Sequence, residues 1–198
     1  MAGVVGSVRP SARPAAPGLV RRKSLIGFRL ACQQMWGEAG YEAICHALPA
    51  DVNDRTGGTR PLPEQIFLDD LIAWHLTVWN GPAQRDEQIM TQHIRATVDQ
   101  GFGRVKRFLI STSTPQMLAA RVVSLWRDEY STGRLEATSI EERSVHLALL
   151  DHAYLETPLM RYVIAEVFRY IVSLTRAKAV TVSHALRGDA LVIVLRWV

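Results

Sequence analysis

Residues 179–198 read AVTVSHALRGDALVIVLRWV. Val180 and Val182 alternate with Thr181 and Ser183, the period of a strand with one face turned inward. Leu186-Arg187-Gly188-Asp189 supplies turn-forming Gly and Asp. From Leu191 the run is almost wholly aliphatic, which predicts a strand buried on both faces or nearly so. Two such strands around a Gly-Asp turn predict a hairpin.

Upstream, Thr157-Pro158 opens a predicted helix over residues 158–176, with Thr157 as N-cap and Pro158 at the first helical position. Arg161, Glu166, Arg169, Ser173 and Arg176 share one narrow arc of its wheel, and the rest is apolar, so the helix is packed on more than one side. Another helix follows Thr114-Pro115 and ends near Gly133. Residues 134–140 and 143–150 then predict two strands around Glu141-Glu142. In the second, Val145, Leu147 and Leu149 alternate with Ser144, His146 and Ala148. The last third therefore reads α-β-β-α-β-β, an antiparallel sheet with helices on one face.

The first 113 residues read as helical. Ser24 is the predicted cap of a helix over 25–36. Gly37 interrupts it, and a second helix covers 38–48. Residues 50–63 (ADVNDRTGGTRPLP) predict a loop, residues 64–79 a third helix, and residues 84–99 a fourth. Gly101-Phe102-Gly103 leads into a shorter helix bearing a basic cluster, Arg104, Lys106 and Arg107, read as a solvated face. The fold class is thus α+β: residues 1–20 a disordered basic leader, 21–113 a helical part and 114–198 a sheet part of one domain.

Of the 198 residues 48% are hydrophobic, enough for a real core. The net charge is +4, but the first 23 residues hold five basic and no acidic side chains, which leaves 18 basic against 19 acidic in the remainder. A nearly neutral body gives no ground for a nucleic-acid partner. No stretch approaches the ~20 apolar residues of a membrane span. Cys32 and Cys45 lack metal-ligand spacing and read as reduced, buried thiols of a cytoplasmic protein.

The six histidines form no His-x-x-His or His-Glu-x-x-His pair. His75 and His93 lie on separate predicted helices that can meet across a bundle. There is no Gly-x-Ser-x-Gly elbow and no Walker-type loop. Adjacent carboxylates such as Asp69-Asp70 point about 100° apart on a helix and do not share a proton. Nothing here predicts an enzyme.

Three stretches carry a distant resemblance to the haem–nitric-oxide-binding (H-NOX) superfamily, to 4-vinyl-reductase-type domains, and more closely to an uncharacterised myxobacterial group of about this length. They are Gly27-Phe28 through Trp36-Gly37-Glu38 to Leu48; Gly101-Phe102-Gly103-Arg104-Val105-Lys106-Arg107-Phe108-Leu109 with Thr114-Pro115; and Leu125-Trp126-Arg127 to Gly133-Arg134-Leu135-Glu136, with the closing Arg196-Trp197. The resemblance implies a sensing domain. In the gas-sensing branch a histidine before the threonine-proline holds haem iron, and Tyr-x-Ser-x-Arg holds the propionates. Here residues 104–113 contain no histidine, and Tyr130-Ser131-Thr132-Gly133-Arg134 is Tyr-x-Thr-x-Arg. The expectation is therefore a regulatory or small-molecule-sensing domain with no cofactor and no haem. Its pocket for a small apolar ligand draws on Trp74, Trp79, His93, Phe102 and Tyr130. The alternatives are a self-associating scaffold, with a homodimer formed through the final hairpin or the helix over 158–176, and a haem-based gas sensor using His93 or His75.

Overall fold

The computed structural model describes residues 17–198, apart from the side chains at 104 and 105. Residues 1–16 of the expected leader lie outside the described residues, but its end does not. Leu19–Arg21 forms β1, pairs antiparallel with β2 (Gln65–Phe67), and buries Val20 completely. Val20 also bridges to Tyr130, so the start of the helical part is tied to the sheet part.

α1 spans Arg22–Ala47 and bends at Gly37, whose φ of 68° suits glycine; the interruption is where the sequence places it. Ser24 is not its cap. The helix begins at Arg22, and the Ser24 hydroxyl donates to Glu129 at 2.6 Å. The predicted loop contains a helix, α2 (Ala50–Thr56). Asp51 and Arg55 pair one turn apart, and Val52 and Thr56 are buried. The predicted third helix starts later, as α3 (Leu68–Asn80), because residues 65–67 are taken by β2.

α4 runs over Glu87–Ser111 with a bend at Gly103 (φ 55°), merging the two helices expected there. It begins after Gln84 and Arg85, both at positive φ, and Asp86 caps it by accepting from the Gln88 and Ile89 amides. α5 (Pro115–Glu129) and α6 (Pro158–Ser173) start as the sequence dictates: Thr114 accepts from Met117 N and Thr157 from Met160 N, each with proline at the first turn.

The strands β3 (Arg134–Ile140), β4 (Ser144–Leu150), β5 (Thr181–Arg187) and β6 (Ala190–Arg196) form one antiparallel sheet in the order β3-β4-β6-β5. The final hairpin pairs as predicted, turning at Gly188. β6 is not buried on both faces, however. Leu191, Ile193 and Leu195 face the core while Val192 and Val194 are half-exposed, because helices cover only one side of the sheet. β5 is left as an exposed edge, the strand through which self-association would run.

α1 packs along α4, α5 lies on β3, and α6 sits between α4 and the β5–β6 end of the sheet. The two parts of the chain thus face one another across α5 and α6. No described helix is long and apolar enough to cross a membrane.

Candidate functional site

Where the helical part meets the sheet part, the side chains leave a cavity of about 270 Å³. The sheet supplies Val145, Leu147 and Leu195, α6 supplies Val163, Ile164 and Phe168, and α5 supplies Leu118, Ala119 and Trp126. Each comes from the inward face of a strand or the apolar stripe of a helix, so the wall follows from the same periodicities that build the core. The opposite wall comes from α1, α3 and α4, which contribute Phe28, His75, Ile94, Val98 and Phe102.

Phe28 reaches the cavity because α1 crosses α4 very closely. A Cβ at Gly27 would stand 2.8 Å from the Thr97 carbonyl oxygen and 3.0 Å from the Gly101 nitrogen. Only glycine allows that approach.

Polar groups on the wall are few. His75 is buried, its ring meets Phe28 edge-on at 4.7 Å, and its Nδ1 has no hydrogen-bond partner. Burial, reinforced by nearby His93, lowers its pKa to about 3, so the imidazole is neutral at physiological pH. Thr97 Oγ1, from α4, is likewise without a partner. The Tyr130 and Tyr154 rings meet edge-on, centroids 5.9 Å apart, and burial pushes both phenols upward, so they remain protonated. The Tyr130 ring stacks on Trp126 at 4.2 Å.

At one end lie Lys23, Lys106 and Glu129, the formal charges of the lining among the described residues. Glu129 is engaged by Lys23 Nζ at 2.6 Å and by the Ser24 hydroxyl at 2.6 Å. Lys106 Nζ sits 3.9 Å from the centroid of Phe102.

Of the five pocket candidates, Phe102 and Tyr130 line this cavity; Trp74, Trp79 and His93 do not. Trp74 is fully buried, donates to Thr56 Oγ1 at 2.9 Å, and stacks on Tyr41. Trp79 is half-buried against the core near the end of α3. His93 lies behind Phe28, centroids 4.4 Å apart, with Nε2 3.3 Å from Cys32 Sγ and its ring stacked on Trp36. Burial pushes the Cys32 thiol far up, so this contact is not a thiolate–imidazolium pair. His75 and His93 do approach one another, with Phe28 against both rings.

Sequence reasoning missed Lys23, counted only in the basic charge of the first 23 residues, and Lys106, read as part of a solvated face. Thr97 carried no signal at all. Among the described residues, no three His, Cys, Asp or Glu side chains converge on a metal position. What the arrangement can do is enclose an apolar body, present one neutral imidazole to it, and meet an anionic end with lysine.

No family model and no curated protein matches the sequence, so the resemblances to the myxobacterial group and to vinyl-reductase-type domains rest on the sequence stretches alone. Solved structures do match. An oxygen-binding H-NOX domain related to soluble guanylate cyclases, in its oxygen complex, aligns with a TM-score of 0.61 at 8% identity, over 87% of this chain and 92% of the other. A structure concerned with haem redox potential and porphyrin distortion aligns at 0.62 and 10% identity, over 89% and 94%. The Fe(II) unliganded H-NOX protein from K. algicida aligns at 0.60 and 7% identity, over 90% and 96%. The chain has the H-NOX α+β fold. The expectation of a protein without a cofactor is corrected by the same finding: these neighbours are named for haem, Fe(II) and bound oxygen, and the fold likeness points to haem.

Proposed function

We propose that this protein is a small-molecule-sensing domain and that the cavity between its helical and sheet parts is the ligand site. One observation carries the reading: an apolar cavity at the junction of the two parts holds a buried, neutral histidine whose Nδ1 has no partner. Buried polar groups without partners are rare in folded proteins, and one on a residue that lines a cavity points to a ligand that would complete the bonding. The fold of a sensor family supports the same reading.

Haem is the first ligand to test, and the residues fit it in part. A neutral imidazole is the ligating form of histidine, and His75 would hold the iron. The cavity end bearing Lys106 and Lys23 would face the carboxylates. Bound there, haem would supply an iron position open to a diatomic gas. Size fits less well. About 270 Å³ lies just below the ~300–1,000 Å³ of typical ligand sites, so a tetrapyrrole requires the wall around Phe102 and Trp126 to move.

The test is an absorption titration with haemin, paired with melting curves in the presence of haemin, protoporphyrin IX and a long-chain fatty acid. Expected are a saturable rise in melting temperature with at least one of them and, if haemin binds, a Soret band weakened by His75→Ala. No stabilisation by any of the three would overturn the reading.

A further inference from the structure

We propose that Lys106 receives the acidic head group of the cavity's ligand, a carboxylate carried by an otherwise apolar molecule. This rests on the cavity being the ligand site and says what chemistry that site selects.

The argument starts from charge. Three of the lining side chains are formally charged, two ammoniums and one carboxylate, all at the same end. The carboxylate is already satisfied: Glu129 takes Lys23 on one oxygen and the Ser24 hydroxyl on the other. Lys106 is left as the surplus cation and, among the described residues, makes no ion pair. Its ammonium lies over the face of Phe102, 3.9 Å from the centroid, and Phe102 is itself part of the wall. A cation over an aromatic face is held weakly compared with a cation on a carboxylate. Lys106 is also half-buried; desolvation first, and the repulsion of Lys23 second, lower its pKa against a smaller opposing attraction from Glu129. An anion beside it would relieve both effects.

The rest of the lining is apolar apart from Ser24, whose hydroxyl is held by Glu129, and His75, Thr97 and the two tyrosines, so the body of the ligand must be apolar. One surplus positive charge at the end of an apolar cavity matches a single carboxylate on a hydrophobic skeleton. A fatty acid carries one such carboxylate and protoporphyrin IX two, of which one would meet Lys106.

The experiment measures the affinities of four probes: cis-parinaric acid and its methyl ester, and protoporphyrin IX and its dimethyl ester. Each is titrated into the native protein and into Lys106→Met by fluorescence. The expected result is a preference of about tenfold or more for an acid over its ester in the native protein, as for a charge-assisted hydrogen bond. Lys106→Met should lose that preference while keeping the ester affinity, which shows its cavity intact. Which acid shows the effect identifies the source of the carboxylate. Equal affinities of acid and ester in the native protein, or an undiminished preference in Lys106→Met, overturns the carboxylate site and leaves the cavity standing. Failure of all four probes to bind overturns the cavity reading and this inference together.

Discussion

The His75 imidazole meets the Phe28 ring edge-on, centroids 4.7 Å apart and planes 84° to each other. Phe28 does the same to His93 from a second direction, at 4.4 Å. Phe28 thus packs against two buried imidazoles, and each has its pKa lowered to about 3, with burial as the main cause. His152, buried among Trp126, Tyr130 and Tyr154, is lowered to about 3 for the same reason.

Stability must then depend on pH with a definite sign. The unfolded chain protonates these histidines near pH ~6.5, whereas the folded chain resists down to about 3. The stability they contribute is complete above about pH 6.5 and is lost as pH falls through the window below it, by up to about 1.4 kcal/mol per pH unit per histidine. Urea midpoints measured from about pH 7.5 to 5, before most carboxylates titrate, should hold down to about pH 6.5 and fall below it. A flat midpoint across that window would contradict the burial of these rings.

Gly133 has φ 78°, and a Cβ there would stand 2.7 Å from His152 Cδ2 and 2.8 Å from His152 Cβ. Gly133→Ala combines a left-handed alanine with a clash against a packed ring. Chemical denaturation should show a loss of about 2 kcal/mol or more. Because His152 packs on Tyr130, which lines the cavity, the near-ultraviolet signal of the Trp126–Tyr130 stack should change as well.

Arg55 holds the buried Asp70 with two bonds, Nε at 3.1 Å and Nη2 at 2.7 Å. Arg55 itself is partly exposed, so solvent screens the pair and the loss in Arg55→Met should be about 1–2 kcal/mol rather than the full penalty of an isolated buried charge. Adding Asp70→Asn removes the stranded carboxylate. The double variant should recover part of the loss in a denaturation cycle, and further destabilisation would refute this account of the pair.

The sheet half was legible because its signals are local. Thr114-Pro115 and Thr157-Pro158 each place a cap and a first turn in two residues, and β4 shows its period over seven. The short elements escaped. Three residues such as Leu19–Arg21 or Gln65–Phe67 are too few to show a period, and each becomes a strand only by pairing with the other. α2 hides in a polar stretch whose helix is held by the Asp51–Arg55 pair and by burial of Val52 and Thr56. The site was harder still. Nothing local separates Trp74, His93, Phe102 and Tyr130, because what each faces depends on crossings between distant elements. The close approach of α1 and α4 at Gly27 sends Phe28 to the cavity and leaves His93 behind it. Lys106 looked solvated because a basic cluster on a helix usually is; only the packing of α5 and the sheet sets it beside an apolar space.

The cavity as ligand site is tested most directly by plugging it. Ala119 is buried on α5 and lines the cavity, so Ala119→Trp fills the space at an overpacking cost of about 1–3 kcal/mol. Native mass spectra of the native protein and of Ala119→Trp would be recorded side by side, after incubation with haemin and with parinaric acid. The account predicts a one-to-one adduct on the native protein that is absent from the folded variant. An adduct of equal occupancy on both, or on neither, would contradict it.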